Sequence, residues 1–396
     1  MSSLRLNEGY QTVALPLSGL LAVELGTSVA APLGAQILAE LGADVVKIEN
    51  PDGGDDARSW GPPFVDGTAA LFRAINRNKR SAAIDFKDAG QCEALRRFIV
   101  DHADIVLQNL RPGVVEKHGL DAATLRARRP SLIYCNLAAF GATGPLMSKP
   151  GYDPLMQAFG GIMSVTGEEG RAPVRVGPSI VDQGAGMWAV IGVLAALNRR
   201  TLSGEGCVVG TSLYETALSW TAMHAANFLA SGCVPRRLGT ENPGIAPYKA
   251  YEAQNGWLVI AAGNDKLFAR FCRALGHAEW IDDPAFRTNA DRVDNRGRLN
   301  ALVAAVINAA TREHWLATLD RAGVPCAPML ALNEVLAHPQ SEALGMLQPG
   351  PDGGMPLMGM PLTFDGERPP YRRRAPDLGE GTDMVLPATP GERGAQ

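Results

Sequence analysis

The stretch LLAVELGTSVAAPLGAQILAELGADVVKIE, residues 20–49, decides the fold. Leu20 to Leu25 is a short apolar run of strand length. Pro32 to Leu41 then carries helical spacing, with a proline in its first turn and Gly42 just past its end, the usual arrangement at helix termini. Asp44 to Glu49 is a second strand. A strand, a helix and a strand within thirty residues make a parallel βαβ unit, because only a crossover helix returns the chain to the same end of a sheet.

Working outward, the alternation continues. Ser81 to Phe86 reads as a third strand and Asp88 to Asp101 as its helix. Asp104 to Leu110 and Leu132 to Leu137 read as two further strands, so the expected fold is α/β, a doubly wound Rossmann-like parallel sheet. A nearly uncharged helix is expected from Gln183 to Asn198. Its apolar part, Gly184 to Leu197, is too short for a membrane span and reads as buried. Beyond Gly232 the pattern changes. Tyr248 to Glu252 and Trp257 to Ala262 form an expected hairpin, followed by helices over Asp265 to Leu275 and within Asp291 to Ala322. The expected domains are residues 1–219 of a large domain, residues 220–330 of a smaller α+β domain, and residues 331–396 returning to the first. Thr389 to Gln396 are expected to fray.

Composition narrows the classes of function. The 396 residues are 46% hydrophobic and 20% charged, with 37 Lys and Arg against 41 Asp and Glu. A net charge of -4 provides no polybasic field, so neither nucleic acid nor an anionic membrane is an expected partner. The six cysteines lie far apart, with no C-x-x-C and no paired histidines, so a zinc site and a disulfide framework are not expected. The N-terminal segment has no apolar h-region, and the expected location is cytoplasmic.

Common nucleotide and hydrolase signatures are missing. The turn after the first strand reads Gly26-Thr-Ser-Val-Ala-Ala-Pro-Leu-Gly34, which is not the G-x-G-x-x-G that admits a pyrophosphate. There is no P-loop, no H-E-x-x-H and no G-x-S-x-G. Three features remain. Asn109-Leu-Arg-Pro-Gly113 follows a strand directly, where ligands of doubly wound sheets sit, and Arg111 could hold a phosphate by its fork or simply face solvent in a turn. Arg77-Asn-Lys-Arg80, with Arg58, Lys117 and Lys149, reads either as a solvated basic loop or as cations around a multiply phosphorylated ligand. Asp182 stands before the long apolar helix, either as an N-cap or as an ionised carboxylate able to attack an acyl carbon. An ordinary aspartate, titrating near ~4, is already charged at neutrality and needs no general base.

Taken together, the ordered segments resemble the class III CoA-transferases, the CaiB/BaiF-like family that includes formyl-CoA:oxalate CoA-transferase. They are Leu41 to Glu49, Asn76 to Ser81, Asn109 to Gly113, Gly141 to Pro145, Pro150 to Asp153, Val174 to Asp182, Ala246 to Tyr248 and Arg374 to Pro376. The resemblance implies that coenzyme A or acyl-CoA is a substrate, with no tightly bound cofactor and no metal. It implies that Asp182 carries the acyl group, through an aspartyl anhydride and an aspartyl-CoA thioester. CoA contacts are implied at Ala30, Ala31, Asn50, Ile84, Asp85, Lys87, Asn109, Leu110, Arg111, Lys117, Lys149 and Tyr152. It also implies an interlocked homodimer, an acyl-CoA donor and a carboxylic acid acceptor, with a short dicarboxylate as one expectation.

Three departures stand out: Ala30 where several relatives have a polar side chain, Leu110 for a common aromatic, and Gly381 for a frequent histidine. The related racemases place a histidine where this chain has Tyr152, so a proton shuttle lacks one base. An acyl-CoA racemase or isomerase, or a catalytically silent CoA-binding protein, are the alternatives.

Overall fold

The computed structural model describes residues 15–387; the expected frayed segment from Thr389 lies outside them. Six parallel strands form the main sheet: β1 (Leu21–Leu25), β2 (Asp44–Glu49), β3 (Arg80–Ala83), β4 (Ile105–Gln108), β5 (Ile133–Ala138) and β6 (Val208–Ser212). Their spatial order is β3-β2-β1-β4-β5-β6, and every neighbouring pair is parallel. The chain reverses its direction of winding between β1 and β4, and a doubly wound sheet opens its ligand crevice at such a switch point. The sixth strand is absent from the sequence reading. It is short, and Gly210-Thr211 interrupts its apolar character, so neither alternation nor a continuous apolar run marks it.

Both faces of the sheet are covered, which is why β4 reads as an unbroken apolar run: Ile105, Val106 and Leu107 are all buried. On one face α2 (Ala89–His102) contributes Leu95 and Ile99 to a core with Val23, Val46, Val106 and Tyr134. Asp88 caps this helix, accepting from the N–H groups of Gly90 and Gln91. On the other face α1 (Ala30–Glu40) packs against α4 (Ile180–Ser203), the 24-residue helix expected from Gln183 to Asn198. Between β5 and α4 the chain forms the short helix α3 (Asp153–Phe159), and α5 (Leu213–Trp220) follows β6. By length and composition α4 could cross a membrane, but half of its apolar window is buried inside the protein.

The described chain divides into two units. The larger takes residues up to Gly161, then Val176–Ala222 and the segment from Gln340 onward; the smaller takes Ile162–Arg175 and Met223–Pro339. Within the larger unit the C-terminal segment runs along β3. Gly381 N–H donates to Ser81 O at 2.7 Å, and Ala83 N–H donates to Thr382 Oγ1 at 2.9 Å. This covers one open edge of the sheet. The smaller unit holds an antiparallel three-stranded sheet, β7 (Tyr248–Ala253), β8 (Gly256–Ala261) and β9 (Cys326–Pro328), with β8 in the centre. The expected hairpin is its β7–β8 pair. Its core gathers Leu258, Ile260, Phe268, Phe271, Leu299 and Trp315.

Candidate active site

The crevice forms at the carboxyl ends of β1 to β4. A cavity of about 240 Å³ is lined there by Gly26 and Thr27 after β1, Glu49 and Asn50 at the end of β2, Ile84 to Lys87 after β3, and Leu110 and Val114 after β4. Of the twelve CoA contacts expected, Asn50, Ile84, Asp85, Lys87 and Leu110 line this cavity. Phe86, inside the expected contact segment from Ile84 to Lys87, lines it too; Gly26, Thr27 and Val114 line it without having been singled out, since nothing in their residue type marks them. Lys87 is an exposed cation in this lining, whereas Arg111, Lys117 and Lys149 are exposed but outside it. Tyr152 is 53% exposed, whereas Ala30 and Ala31 are buried in the first turn of α1. Asn109 does not face outward as a free amide. It accepts from Thr27 N–H at 2.9 Å and donates to Thr27 O at 3.0 Å, tying the loop after β1 to the end of β4.

That loop, Gly26–Val29, replaces the glycine-rich turn of nucleotide sites, and buried charges hold it in shape. Lys47 and Lys79 are both completely buried. Lys47 Nζ donates to Glu24 Oε1 and to Gly26 O, each at 2.7 Å, and lies 2.9 Å from Asp55 Oδ2. Lys79 Nζ reaches Glu24 Oε2 at 2.8 Å, Pro32 O at 2.7 Å and Asn76 Oδ1 at 2.7 Å. Asp55 Oδ1 accepts from Ser28 N–H at 3.0 Å, where the serine backbone sits at a positive φ of 70°. Two lysines facing two carboxylates leave no uncompensated charge, the condition under which buried ions are tolerated. Burial alone pulls the Lys47 ammonium down, but Glu24, Asp55 and Glu49 raise it above its ordinary value. Burial and the Lys47 charge bring Lys79 down to about 8, against the pull of Glu24.

For two members of the basic run, Arg77 and Lys79, this network overturns both readings. Arg77 and Lys79 are buried, Arg77 against Glu40, so they are neither a solvated loop nor phosphate ligands. Arg58 is spent on Glu49 at 2.7 Å. Glu49 itself, which burial would push up, is brought to about 2 by Arg58, Lys47 and the Ser81 hydroxyl.

Asp182 occupies a different place from the one expected. The N-cap of α4 is Ser179, without a side-chain bond, and Asp182 lies inside the first turn. The capping carboxylate comes from Asp153, at the start of α3. Its Oδ2 accepts from Val181 N–H at 2.8 Å and from Asp182 N–H at 3.3 Å. Gln157 holds it from the other side, donating to Oδ1 at 2.5 Å. Neither Asp153 nor Gln157 was singled out as functional. The signal available was Tyr-Asp-Pro, an acidic residue opening a helix with proline beside it.

Two glycines place Asp182. A Cβ on Gly186 would come within 2.7 Å of Ala30 O, and one on Gly34 within 3.2 Å of Gly186 O. The α1–α4 contact is therefore backbone against backbone. Asp182 lies one turn before Gly186 on the same side of the helix, and it is not among the residues that line the crevice cavity. Burial chiefly, and the neighbouring Asp153 carboxylate second, push its carboxyl up to about 7. Asp182 is thus not held ionised by the helix dipole; it is desolvated, and a desolvated carboxylate is a stronger nucleophile once its proton is lost.

Comparison with known proteins accords with this geometry. The model of CoA-transferase family III matches residues 17–382. The succinate–glutarate CoA-transferase of Agrobacterium fabrum is 36% identical over 380 residues, covering 94% of this chain and 95% of that protein. The acetyl-CoA:oxalate CoA-transferase of Acetobacter aceti is 36% identical, covering 92% and 93%. Among solved structures, a CaiB/BaiF family protein from Brucella suis is 39% identical, with a TM-score of 0.84 over 94% of this chain and 99% of that one. A parallel sheet with its crevice at the β1/β4 switch, matched along nearly the whole chain to enzymes that move CoA, makes this protein an enzyme of CoA-transferase family III.

Proposed function

We propose that the protein moves CoA from an acyl-CoA to a free carboxylic acid, with Asp182 as the nucleophile and the β1–β4 crevice receiving CoA. The observation that carries this reading is the desolvated Asp182 carboxyl in the first turn of α4, whose N-terminus is capped by Asp153. In its ionised form Asp182 attacks the thioester carbonyl. The C–S bond breaks, CoA thiolate leaves, and a mixed anhydride forms. The thiolate then attacks the aspartyl carbonyl, the donor acid departs as its carboxylate, and Asp182 holds CoA as a thioester. The acceptor carboxylate attacks this thioester, and the released thiolate takes the acceptor acyl group from the second anhydride. No net proton is gained or lost, and Asp182 returns as a carboxylate.

Relatives named for succinate, glutarate and oxalate support short dicarboxylates as the acids exchanged. Lys87, which lines the crevice, and Arg111, next in sequence to the lining residue Leu110, are exposed cations that suit the CoA phosphates. We read the chain as a cytoplasmic homodimer. Met187, Trp188, Ile191 and Leu194 of α4 remain exposed, an apolar stripe suited to burial against a second copy.

The test is to supply succinyl-CoA and glutarate, follow CoA redistribution by mass spectrometry, and trap the intermediate with hydroxylamine. Asp182→Ala is expected to bind CoA yet neither transfer it nor yield a hydroxamate. A variant that still turns over at wild-type rates refutes the assignment. Solvent deuterium entering the α-carbon without CoA exchange replaces it with isomerase chemistry.

A further inference from the structure

A second cavity, of about 310 Å³, opens at the opposite edge of the sheet, where β2 and β3 begin. The length of β2 puts it roughly 16 Å from the crevice. Its lining includes Asp44, Asn78, Arg80, Arg372 and Arg373. Three guanidinium groups thus face a single carboxylate. Asp44 Oδ1 lies 3.3 Å from Arg80 Nε and 3.8 Å from a terminal nitrogen of Arg373. The nearby Glu40 is already engaged by Arg77. Arg372 donates to Ala39 O, a neutral acceptor.

Asn78 supplies an independent sign. It is 3% exposed and sits at a positive φ of 64°. Its Oδ1 accepts from the backbone N–H groups of Arg372 and Arg373, each at 2.9 Å, which fixes the orientation of the amide. Its Nδ2 is left with no partner among the described residues. A buried donor without an acceptor is costly and rare in folded proteins, and a ligand oxygen would relieve it. An excess of two positive charges, a fixed buried donor and forked guanidinium groups together match a compact oxyanion.

We propose that this cavity is an anion site for a phosphate group, held by Asn78 Nδ2 and the guanidinium groups of Arg80, Arg372 and Arg373. The group belongs either to free phosphate or to a small phosphate ester. Its place at the amino ends of the strands makes it separate from the crevice, and the CoA reaction does not use it.

Thermal unfolding of the full chain is followed while inorganic phosphate is titrated at ionic strength held constant with sodium chloride. Glycerol phosphate is titrated in parallel. A saturable rise in Tm is expected for the wild type. The half-saturating concentration is expected to move up roughly tenfold or more in Arg373→Gln and in Asn78→Asp. The first alters a side chain that is 40% exposed. The second keeps the oxygen that accepts from Arg372 and Arg373 while replacing the donor. Arg111→Gln, at the crevice, is expected to keep the full response. Tighter binding of glycerol phosphate assigns the site to esters, and equal or weaker binding assigns it to free phosphate. No rise beyond the chloride control overturns the proposal. So does a rise unchanged in both cavity variants, or one lost in Arg111→Gln.

Discussion

Replacing Asp182 with asparagine removes the proposed nucleophile and should also stabilise the protein, by an amount that depends on pH in a defined way. The carboxyl titrates at about 7 in the folded chain against an ordinary 3.8. A folded-state value raised in this way means that the folded protein holds the proton where the unfolded chain has released it. The associated stability is complete below pH ~4 and is lost as pH rises through about 7. The ceiling is ~4 kcal/mol at pH 8, at 1.36 kcal/mol per tenfold change in proton affinity. Asp182 is half-buried rather than sealed, so about 2 kcal/mol is the expected size. Asparagine cannot ionise and escapes this loss. The variant should therefore unfold close to wild type at pH 4.5 and ~4 °C or more above it at pH 8. The assay is differential scanning calorimetry of both proteins across that range. A gap that stays constant with pH, or a variant less stable at pH 8, refutes the claim that the carboxyl is desolvated in the resting site.

Other variants probe the neighbouring parts of the site. In wild type, kcat/KM should rise with pH along a limb near 7 as Asp182 ionises. Asp153→Asn should move that limb to lower pH by removing a neighbouring charge, and a purely structural role would leave the limb in place. Gly186→Ala drives a methyl group against the Ala30 carbonyl and should cost about 1–3 kcal/mol, read by urea denaturation. Glu24→Gln leaves Lys47 and Lys79 short of a carboxylate and should cost about 3–5 kcal/mol, with loss of CoA binding as the loop after β1 loosens. Arg111→Gln should raise KM for the acyl-CoA with little change in kcat, as expected for a residue that binds phosphate without touching the reacting carbonyl.

The parts of this molecule that could be read from its sequence are those set by local periodicity. Asp44 to Glu49 falls on β2 residue for residue, because a β-branched apolar trio, Val45, Val46 and Ile48, lies between a glycine turn and a proline. Asp182 was legible as a candidate, but its environment was not. The carboxylate that caps its helix lies at residue 153, and the burial that shifts it comes from packing between helices far apart in the chain. Arg77 and Lys79 of the basic run fit neither reading for the same reason. Their partners, Glu40 on α1 and Glu24 on β1, precede them by 37 and 55 residues and meet them only in the folded chain. Asn109 was picked out correctly as sitting at a strand end, yet its amide is spent on the Thr27 backbone, a pairing that no spacing rule foretells.

The hydrogen bonds from Gly381 and Thr382 to β3 bear on how the chain is made. Strand β3 emerges from the ribosome first, and the segment that seals its outer edge follows 299 residues later. Over that interval the nascent sheet carries an open edge able to pair with another chain. Premature stops shortly before residue 379 should yield products that retain nearly all the crevice residues yet accumulate as aggregates. For such products quality control, rather than loss of chemistry, would set the amount of working enzyme.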